Sequence, residues 1–552
     1  MSLPVNMQGR VLRMSEMGRA RFKPSHMVPG GGLWANSHRE GRDAIAHWNA
    51  DNAAILKRFG VRIVEVHDLN VKEPVRSRGD FEVRESRRVS LAAALPALAT
   101  VFEALGSATM LPAEITGNPE KHKEAIKELK SAADMWATGA MTAAFRHIVE
   151  SNQRFAINIV VGEGTRPKPG EGRNPTLYPG QLLAGHSHLG IPVEALADRN
   201  VSVVNGVVDP IDGTGKTVNG LPSAITSLVL VNGRIATVPD GRFEKLIVPE
   251  AAADKGLDLT DSFQRIAEAV SDSYRIPLNR VNAFMLDRKC HPFNEFAGEI
   301  GINAVLDKDG DLMPGVTLNV QDGLMVNDEP LHAMIGNSGG APEFLLSAIP
   351  AMWLGGEAFG QLVSDTMKKD GWESRFAYTD FELEAIKASG LETERIYPIS
   401  ELVPEIRETD GVAAFGAITD NWHLPYHDAA VLGRDFAQVD VLKIGASGAV
   451  LMRRFVFALE QSVKETADLF RPILIRLAAV DDRDLRGELK RVLDKPATAA
   501  GLRDEFGTAY PDIFTPTPDG KLQLIPEKIG SLAERDKMLL EELQDLVPDW
   551  FA

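Results

Sequence analysis

The most informative pattern of hydrophobic and polar positions lies at residues 203–220, VVNGVVDPIDGTGKTVNG, where an apolar run ends in a polar turn. The valines of VVNGVV favour a buried strand, and Pro210 cannot extend a sheet ladder, so the strand is predicted to end at Asp209. Asp212 follows in the turn. Gly213 lets a ligand approach the backbone, and the amides from there onward can bind an anion if a helix begins at this point. The pattern therefore predicts carboxylates for cations beside amides for phosphate.

Two other interpretations of this turn stay open. The letters GTGKT suggest a nucleotide-binding P-loop, although that motif requires a glycine five positions before Gly215, where this chain has Pro210. Alternatively, Asp209 and Asp212 serve only as helix caps, which is a common role for aspartate before a turn.

Helix and strand patterns alternate on both sides of this turn. Residues 96–155 are predicted to be mainly helical, with Asp134 opening the pattern DMWATGAMTAAFRHIV. Residues 156–163 predict a strand that ends at Glu163. Both acids are therefore expected at the ends of elements. Residues 227–238, SLVLVNGRIATV, predict a hairpin that turns at Asn-Gly.

The two ends of the chain carry patterns of their own on either side of the central part. Residues 1–95 predict a mixed α/β N-terminal extension, because helical spacing at 39–60 is followed by the strand-like run VRIVEVHDL. Residues 96–455 hold the acids and the glycine-rich turns. Residues 456–552 contain two amphipathic helical patterns, which predict a helical C-terminal extension used for packing or oligomerisation.

The composition limits the class of protein. With 552 residues, of which 44% are hydrophobic and 25% charged, the chain has globular values and ample length for a core. The formal net charge of −17 argues against nucleic-acid binding, but a local basic pocket would suit a phosphorylated metabolite. Cys290 is the only cysteine, so no intrachain disulfide can form, and this favours a reducing cytoplasm. No apolar run approaches the length of a membrane helix, so no membrane partner is expected.

Five sequence blocks carry a family resemblance. The first, DPIDGT at 209–214, resembles the signature of the magnesium-dependent, lithium-sensitive phosphatase superfamily. With four further blocks in the same order, the chain from roughly residue 100 to 455 is similar to class II fructose-1,6-bisphosphatases. These four blocks are VVGEGT at 160–165, PDGRFEKLIV at 239–248, DGD at 309–311 and GGAPE at 339–343.

The resemblance implies an α/β fold in α-β-α-β-α layers, with residues 96–455 as the catalytic sugar-phosphatase unit between the two extensions. It also implies hydrolysis of the 1-phosphate of fructose 1,6-bisphosphate, with sedoheptulose 1,7-bisphosphate as a further candidate substrate. Asp212 keeps open an inositol-phosphate or nucleotide-phosphate monoesterase, because the family's acid at this position is usually glutamate. A catalytically silent regulatory protein is a third alternative, and the presence of all the family's acids argues against it.

In the family, acidic residues hold the catalytic metals. The matching positions in this sequence are Asp134, Glu163, Asp209, Asp212 and Glu343. A set made only of carboxylates suits Mg²⁺ or Mn²⁺, and converging carboxylates repel one another unless cations neutralise them. By resemblance, the metals acidify a water that attacks phosphorus, Thr214 accepts the proton of that water, and Asp209 and Glu163 complete the catalytic set. The alternative for Thr214 is ordinary helix capping.

The substrate contacts implied by the resemblance depart from the family at several positions. Arg242 stands where class II enzymes place a substrate-binding tyrosine, and Arg288 and Lys289 are the cations nearest to the family's lysine and arginine pair. The DGD turn matches one that contacts sugar hydroxyls. The predicted partner is a phosphorylated sugar, and a homo-oligomer is expected. The predicted substrate-binding residues are Asp212, Gly213, Thr214, Arg242, Arg288, Lys289, Asp309, Gly310, Asp311 and Gly340.

Overall fold

The structure is a computed structural model, and it describes residues 11–13, 38–101, 119–162, 177–188, 191–219, 221–239, 241–287, 293–320, 325–326, 329–363, 366–369, 372–375, 378, 380–419, 431–432, 436–459, 514–517 and 521–524. Within these residues the strands are β1 Val11–Arg13, β2 His38–Arg39, β3 Val61–Lys72, β4 Phe155–Gly162, β5 Leu182–Leu183, β6 Ser202–Asp212, β7 Ile225–Asn232, β8 Phe243–Val248, β9 Asn282–Leu286, β10 Asn303–Asp307, β11 Met325–Val326, β12 Glu329–Pro330, β13 Ala333–Gly339, β14 Glu357–Leu362, β15 Thr366–Lys369, β16 Trp372–Arg375, β17 Ile396–Pro398, β18 Asp410–Ala417, β19 Val431–Leu432, β20 Phe436–Gly445, β21 Val450–Leu459, β22 Phe514–Pro516 and β23 Leu522–Leu524.

The α-helices of the described part of the chain range from single turns to one of 33 residues. They are α1 Arg42–Asp51, α2 Ala53–Phe59, α3 Asp80–Thr100, α4 Pro119–Ser151, α5 Val193–Leu196, α6 Thr214–Val218, α7 Phe263–Tyr274, α8 Phe293–Ile300, α9 Leu312–Thr317, α10 Ala341–Trp353, α11 Asp380–Ser389 and α12 Ile399–Leu402.

The larger sheet contains the signature strand β6. Its strand order is β2-β3-β21-β20-β18-β7-β6-β4-β5, and β19 also pairs with β20. Strand β6 lies between the parallel β4 and the antiparallel β7. Both faces of this sheet are buried here, because Leu228 and Leu230 of β7 pack into one hydrophobic core while Val229 and Val231 pack into another.

The smaller sheet has the order β1-β10-β9-β13-β8-β14-β17. Strands β9 and β10 are parallel, so their carboxyl ends lie at the same edge of the sheet. Asp287 follows β9 at this edge, and the DGD turn at 309–311 follows β10. The loops that were expected to contact substrate therefore leave the sheet side by side.

Helices separate and cover the two sheets. Helices α3 and α4 pack on the outer face of the larger sheet, α10 contacts strands of both sheets, and α7 and α8 cover the outer face of the smaller sheet. Helix α10 is apolar nearly all round, as a helix between two sheets must be, and its Phe344 stacks on Phe243 of β8 with ring centroids 5.5 Å apart. The layer order is α-β-α-β-α, which confirms the predicted fold class.

Three predictions of elements were wrong. Strand β6 continues to Asp212, because Pro210 lies at an irregularity in the ladder with β7 and its missing N–H is not needed there. Asp134 lies inside α4 rather than at its start, since the helix begins at Pro119. Residues 227–238 do not form a hairpin, because β7 pairs with β6 and β18 and the next strand, β8, belongs to the other sheet.

The N-terminal segment is built into the larger sheet. Strand β3 pairs with β21, and α3 packs on the same sheet, so the chain from Val61 onward shares its core with the signature strand. The predicted boundaries at 95 and 455 fall inside α3 and β21. The amphipathic patterns at 460–480 and 527–547 lie outside the described residues, and their role stays a prediction.

Candidate metal and phosphate site

The signature turn begins where the pairing of β6 is interrupted. The ladder with β7 is regular as far as Asp209 and resumes at Asp212. The Thr226 hydroxyl donates to the carbonyl oxygen of Pro210 at 2.9 Å, and the Ser227 hydroxyl donates to that of Asp209 at 3.1 Å. These hydroxyls satisfy backbone carbonyls that the irregular ladder leaves buried, which holds the turn in a defined conformation.

Gly213 links the strand to α6 and is the N-cap of that helix. Its φ of 86° lies in the left-handed region, which favours glycine. The helix therefore begins where the sequence predicted. The P-loop interpretation fails, because Lys216 of GTGKT is buried and its ammonium is bound to a carboxylate, Asp307.

Thr214 connects the signature turn to helix α4. Its Oγ1 donates a hydrogen bond of 2.7 Å to Asp134 Oδ1, although the two residues are far apart in sequence. Asp209 is 1% exposed, and its Oδ1 accepts the N–H of Ile211 at 3.0 Å. Because the Thr214 hydroxyl donates across the fold to Asp134 and Gly213 is the N-cap of α6, ordinary capping does not account for Thr214.

Asp212 lies in a cluster of carboxylates that come from separate segments. Burial raises the pKa of Asp212 well above its ordinary value, and the charges of Asp311, Asp309 and Glu343 raise it further. The first two acids belong to the turn after β10, and Glu343 lies in the first turn of α10. The structure thus brings together four of the predicted site residues.

Two buried lysines accompany these acids, and the sequence interpretation assigned neither of them a role. Lys216 Nζ donates to Asp307 Oδ2 at 2.6 Å, and Lys245 Nζ lies 2.8 Å from Asp311 Oδ2. The charge of Lys216 lowers the pKa of Asp212 against the effect of the acids. A signal was present for Lys245, because it is a lysine within the short apolar strand β8.

Two of the predicted glycines leave room for charged groups. A Cβ at Gly310 would lie 2.9 Å from Lys216 Nζ, and the φ of 72° at this residue also favours glycine. A Cβ at Gly340 would lie 2.5 Å from Glu343 Oε2. Side chains at either position would displace a charged group of the cluster.

The donor chemistry of these residues fits a divalent cation. Asp212 Oδ2 is buried and has no hydrogen-bond partner within the described part of the chain. A buried carboxyl oxygen surrounded by other carboxylates is what a hard cation such as Mg²⁺ binds. No three acidic, histidine or cysteine side chains among the described residues are already arranged as metal ligands, and the predicted ligand Glu163 lies outside those residues.

The remaining predicted residues are only partly placed. Strand β4 ends at Gly162, which pairs with Val208 one residue before Asp209, but Glu163 itself is not described. Arg288 and Lys289 also lie outside the described residues. Arg242 precedes β8, where its backbone N–H donates to the Tyr378 hydroxyl at 3.4 Å. Substrate roles for these three cations stay predictions.

One cavity borders the site, and a larger one lies away from it. A cavity of about 140 Å³ borders the site and is lined by Gly215, Lys216 and Leu221 on one side and by Asp287 and residues 306–309 on the other. A larger cavity of about 550 Å³ lies at the opposite end of α10, between residues 72–82 and 407–410. The larger one contains none of the predicted site residues, whereas the smaller one is lined in part by Asp309.

The five-layer α/β fold, the signature turn and the carboxylate cluster are the features expected of a metal-dependent sugar phosphatase. None of the helices in the described ranges is long and apolar enough to cross a membrane. A family model described as bacterial fructose-1,6-bisphosphatase, glpX-encoded, matches residues 122–424. The match covers more than half of the chain, and the chain belongs to this family. The resemblance to class II fructose-1,6-bisphosphatases is thereby confirmed.

Similar proteins carry names from the same family. The chain is 29% identical over 205 residues to fructose-1,6-bisphosphatase 2 class 2 of Escherichia coli, an alignment that covers 36% of this chain and 60% of that protein. It is 26% identical to the D-fructose 1,6-bisphosphatase class 2/sedoheptulose 1,7-bisphosphatase of Synechococcus elongatus, over 55% of this chain and 80% of that protein. The enzyme of the same name from Thermosynechococcus vestitus is 27% identical over 50% of this chain and 74% of its own length.

Proposed function

We propose that this chain hydrolyses the 1-phosphate of fructose 1,6-bisphosphate, with Mg²⁺ or Mn²⁺ as its cofactor. Membership in the bisphosphatase family supports a phosphoric monoester hydrolase of carbohydrate metabolism. Sedoheptulose 1,7-bisphosphate is the second candidate substrate, because it appears in the names of the cyanobacterial relatives.

The observation that carries the proposal is the hydrogen bond from Thr214 Oγ1 to Asp134 Oδ1. It joins the turn after β6 to the middle of α4, and Asp209 is buried at the end of the same strand segment. A hydroxyl that donates its proton to a carboxylate keeps its oxygen lone pairs for a second partner. Thr214 is therefore suited to take a proton from a water placed over the turn while it passes its own hydroxyl proton to Asp134 Oδ1.

The protein groups around that water have distinct tasks. Asp134 orients the Thr214 hydroxyl, and the amides at Gly213 and Thr214 are the proposed donors to the phosphate oxygens. Asp134, Glu163, Asp209, Asp212 and Glu343 are the proposed ligands of the divalent cations. When bound, these cations supply charge neutralisation for the phosphate and acidify the attacking water.

The sugar and the second phosphate are assigned to the edge of the smaller sheet. The DGD turn follows β10 and lies near Asp212, which supports contacts from Asp309 and Asp311 to sugar hydroxyls. Arg288 and Lys289 follow Asp287 in the sequence, just after the end of the neighbouring strand β9. We propose that these two residues and Arg242 bind the second phosphate. Arginine binds phosphate through two donors, so these cations would favour a bisphosphate over a monophosphate.

A monoesterase acting on inositol or nucleotide phosphates is the second candidate. It is favoured by Asp212, which is one methylene shorter than the family's usual glutamate. We also propose a homo-oligomer in the cytoplasm, on the basis of the amphipathic C-terminal patterns and the single cysteine.

The test is phosphate release from a panel of sugar monophosphates, sugar bisphosphates, inositol monophosphate and a nucleoside monophosphate, with Mg²⁺ and with Mn²⁺. We expect the highest kcat/KM for fructose 1,6-bisphosphate and no turnover in excess chelator. A preference for inositol monophosphate would replace the proposal with the monoesterase. No turnover of any substrate by folded, metal-supplemented protein would favour the silent regulatory alternative.

A further inference from the structure

The ion pair between Lys216 and Asp307 joins the two turns that form the site. Lys216 lies on α6, two residues after Thr214, and Asp307 is the last residue of β10, two residues before Asp309. The side chains of the pair are only 6% and 12% exposed, and their hydrogen bond is 2.6 Å long. The pair therefore connects segments that come from different sheets and are distant in sequence.

The backbone of the acidic turn is folded closely around the Lys216 ammonium. The position that a Cβ would take on Gly310 is only 2.9 Å from Lys216 Nζ, and the same position is 3.2 Å from the Ser223 carbonyl oxygen. Asp307 is held from its other side as well, because its Oδ1 accepts the N–H of Lys308 at 2.7 Å. Both partners are thus fixed in direction as well as in distance.

The pair also separates two groups of like charge. Asp212 stands on one turn and Asp309 and Asp311 stand on the other, and these acids raise the pKa of Asp212 while Lys216 lowers it. Since like charges push the turns apart, the buried ammonium of Lys216 beside Gly310 opposes that repulsion. Lys216 and Asp307 further line the cavity of about 140 Å³ that lies between the turns, so their separation helps to set its width.

We propose that Lys216 and Asp307 are positioning residues, whose ion pair sets the spacing between the signature turn and the Asp309–Asp311 turn and thereby the affinity for the sugar part of the substrate. The inference rests on the proposed function, because it assigns the phosphate to one turn and the sugar to the other.

A loss of stability in a variant cannot distinguish a positioning role of the pair from a purely structural one, because both roles contribute to folding. Removing one member leaves a buried charge without its partner, which destabilises a protein strongly wherever the pair lies. The two roles predict different KM values for the fraction of the variant that remains folded. A positioning pair changes the KM for a sugar bisphosphate more than the KM for a phosphate ester without a sugar, and a structural pair changes neither selectively.

The experiment compares fructose 1,6-bisphosphate with p-nitrophenyl phosphate in the full-length, Mg²⁺-supplemented protein. We divide the KM for fructose 1,6-bisphosphate by the KM for p-nitrophenyl phosphate and expect this KM ratio to rise about tenfold or more in Lys216→Met. An effect of this size is expected when contacting groups are displaced by a fraction of an ångström. Lys216→Arg keeps the charge but places a larger, planar guanidinium in a site closed by Gly310, so we expect this ratio to rise less than in Lys216→Met. Binding of fructose 6-phosphate, followed as a thermal shift, should weaken in the same order without any turnover.

Two further proteins complete the design. The double variant Lys216→Met with Asp307→Leu removes both charges of the pair, so we expect its melting temperature to recover while the KM ratio stays high. The matched control is Arg454→Met, which breaks the buried pair with Asp440 on β20 and β21, whose Nε and Oδ1 atoms are 2.6 Å apart. That control should lose stability and keep the KM ratio.

Either of two results would overturn the inference. One is an unchanged KM ratio in both Lys216→Met and the double variant, and the other is a double variant that recovers the original ratio, since packing rather than the ion pair would then set the spacing. Failure of the proposed function is visible separately, because the unmodified protein would then prefer another substrate in the panel. In that case the same KM ratio is measured with the preferred sugar phosphate.

Discussion

Removal of the Thr214 hydroxyl is the sharpest test of the site. In Thr214→Ala, Asp134 Oδ1 loses the donor that now lies 2.7 Å away, and the proposed proton acceptor disappears with it. We expect substrate binding to persist and kcat to fall by about two to four orders of magnitude, which is the usual contribution of a positioned proton acceptor. A loss of about 100-fold corresponds to about 2.7 kcal/mol in the activation free energy.

The loss of stability from the same change is too small to produce that fall in kcat. A hydrogen bond to a charged group contributes about 1.5–3 kcal/mol, whereas domains unfold with about 5–15 kcal/mol. Most of the Thr214→Ala protein therefore stays folded in the assay. A large fall in kcat would then report the chemistry of the site.

Two variants serve as controls for this measurement. Thr214→Ser keeps a hydroxyl at the same position and should retain kcat within about tenfold. Thr217→Ala removes a buried hydroxyl from the same helix, where it donates to the Gly213 carbonyl oxygen at 3.3 Å, and should lower the melting temperature with little change in kcat. If Thr214→Ala behaves like Thr217→Ala in single-turnover and steady-state assays, the hydroxyl is structural and the mechanism is refuted.

Three further predictions follow from buried ionisable groups. Burial and neighbouring acids raise the pKa of Asp212, so its charge destabilises the metal-free fold at neutral pH. Asp212→Asn should therefore raise the melting temperature in EDTA and reduce the further rise that Mg²⁺ causes. A lower melting temperature of this variant in EDTA would contradict the prediction. Burial is the main cause, and the charge of Arg453 the second, that lowers the pKa of Lys443 to about 7. Between pH 7 and about 10.5 the unfolded chain therefore binds more protons at this residue than the folded chain does. The free energy of unfolding rises with pH across that window. Lys443→Met should flatten that rise in urea titrations, and an unchanged slope would refute the assignment. Burial lowers the pKa of His332 to about 4, so stability should fall as the pH drops from 6.5 towards 4, by at most about 1.4 kcal/mol per pH unit, and His332→Gln should lessen the fall.

The chemistry of the site could be predicted where it is local in sequence. Asp209, Asp212, Gly213 and Thr214 lie within six residues, so the signature turn was recognisable before its surroundings were known. The start of α6 was a condition of the anion-binding interpretation, and the structure shows that the helix does begin at Thr214. The end of β6 was not, since the rule that proline ends a strand fails when the ladder is irregular at that residue.

Long-range pairings were beyond the sequence patterns. Strand β3 was assigned to an N-terminal extension because it lies outside the resemblance, yet its partner is β21, almost 400 positions further along the chain. Nothing in the local pattern of either strand encodes that register. The predicted boundary at 95 therefore cut through α3, which packs on the same sheet.

The acids and the lysines of the site differ in predictability for a physical reason. Several carboxylates of the site lie at strand ends, where short sequence blocks such as DPIDGT and DGD mark them. The lysines that offset their charge are buried on regular elements, Lys216 on α6 and Lys245 on β8, and each is paired with an acid from another segment. A lysine in such a place is tolerable only when the fold supplies a carboxylate, so its role becomes visible only once the two turns are seen together. The same dependence makes the Lys216–Asp307 pair a sensitive point: a substitution on either turn that is harmless to local structure can still alter the distance between phosphate and sugar contacts.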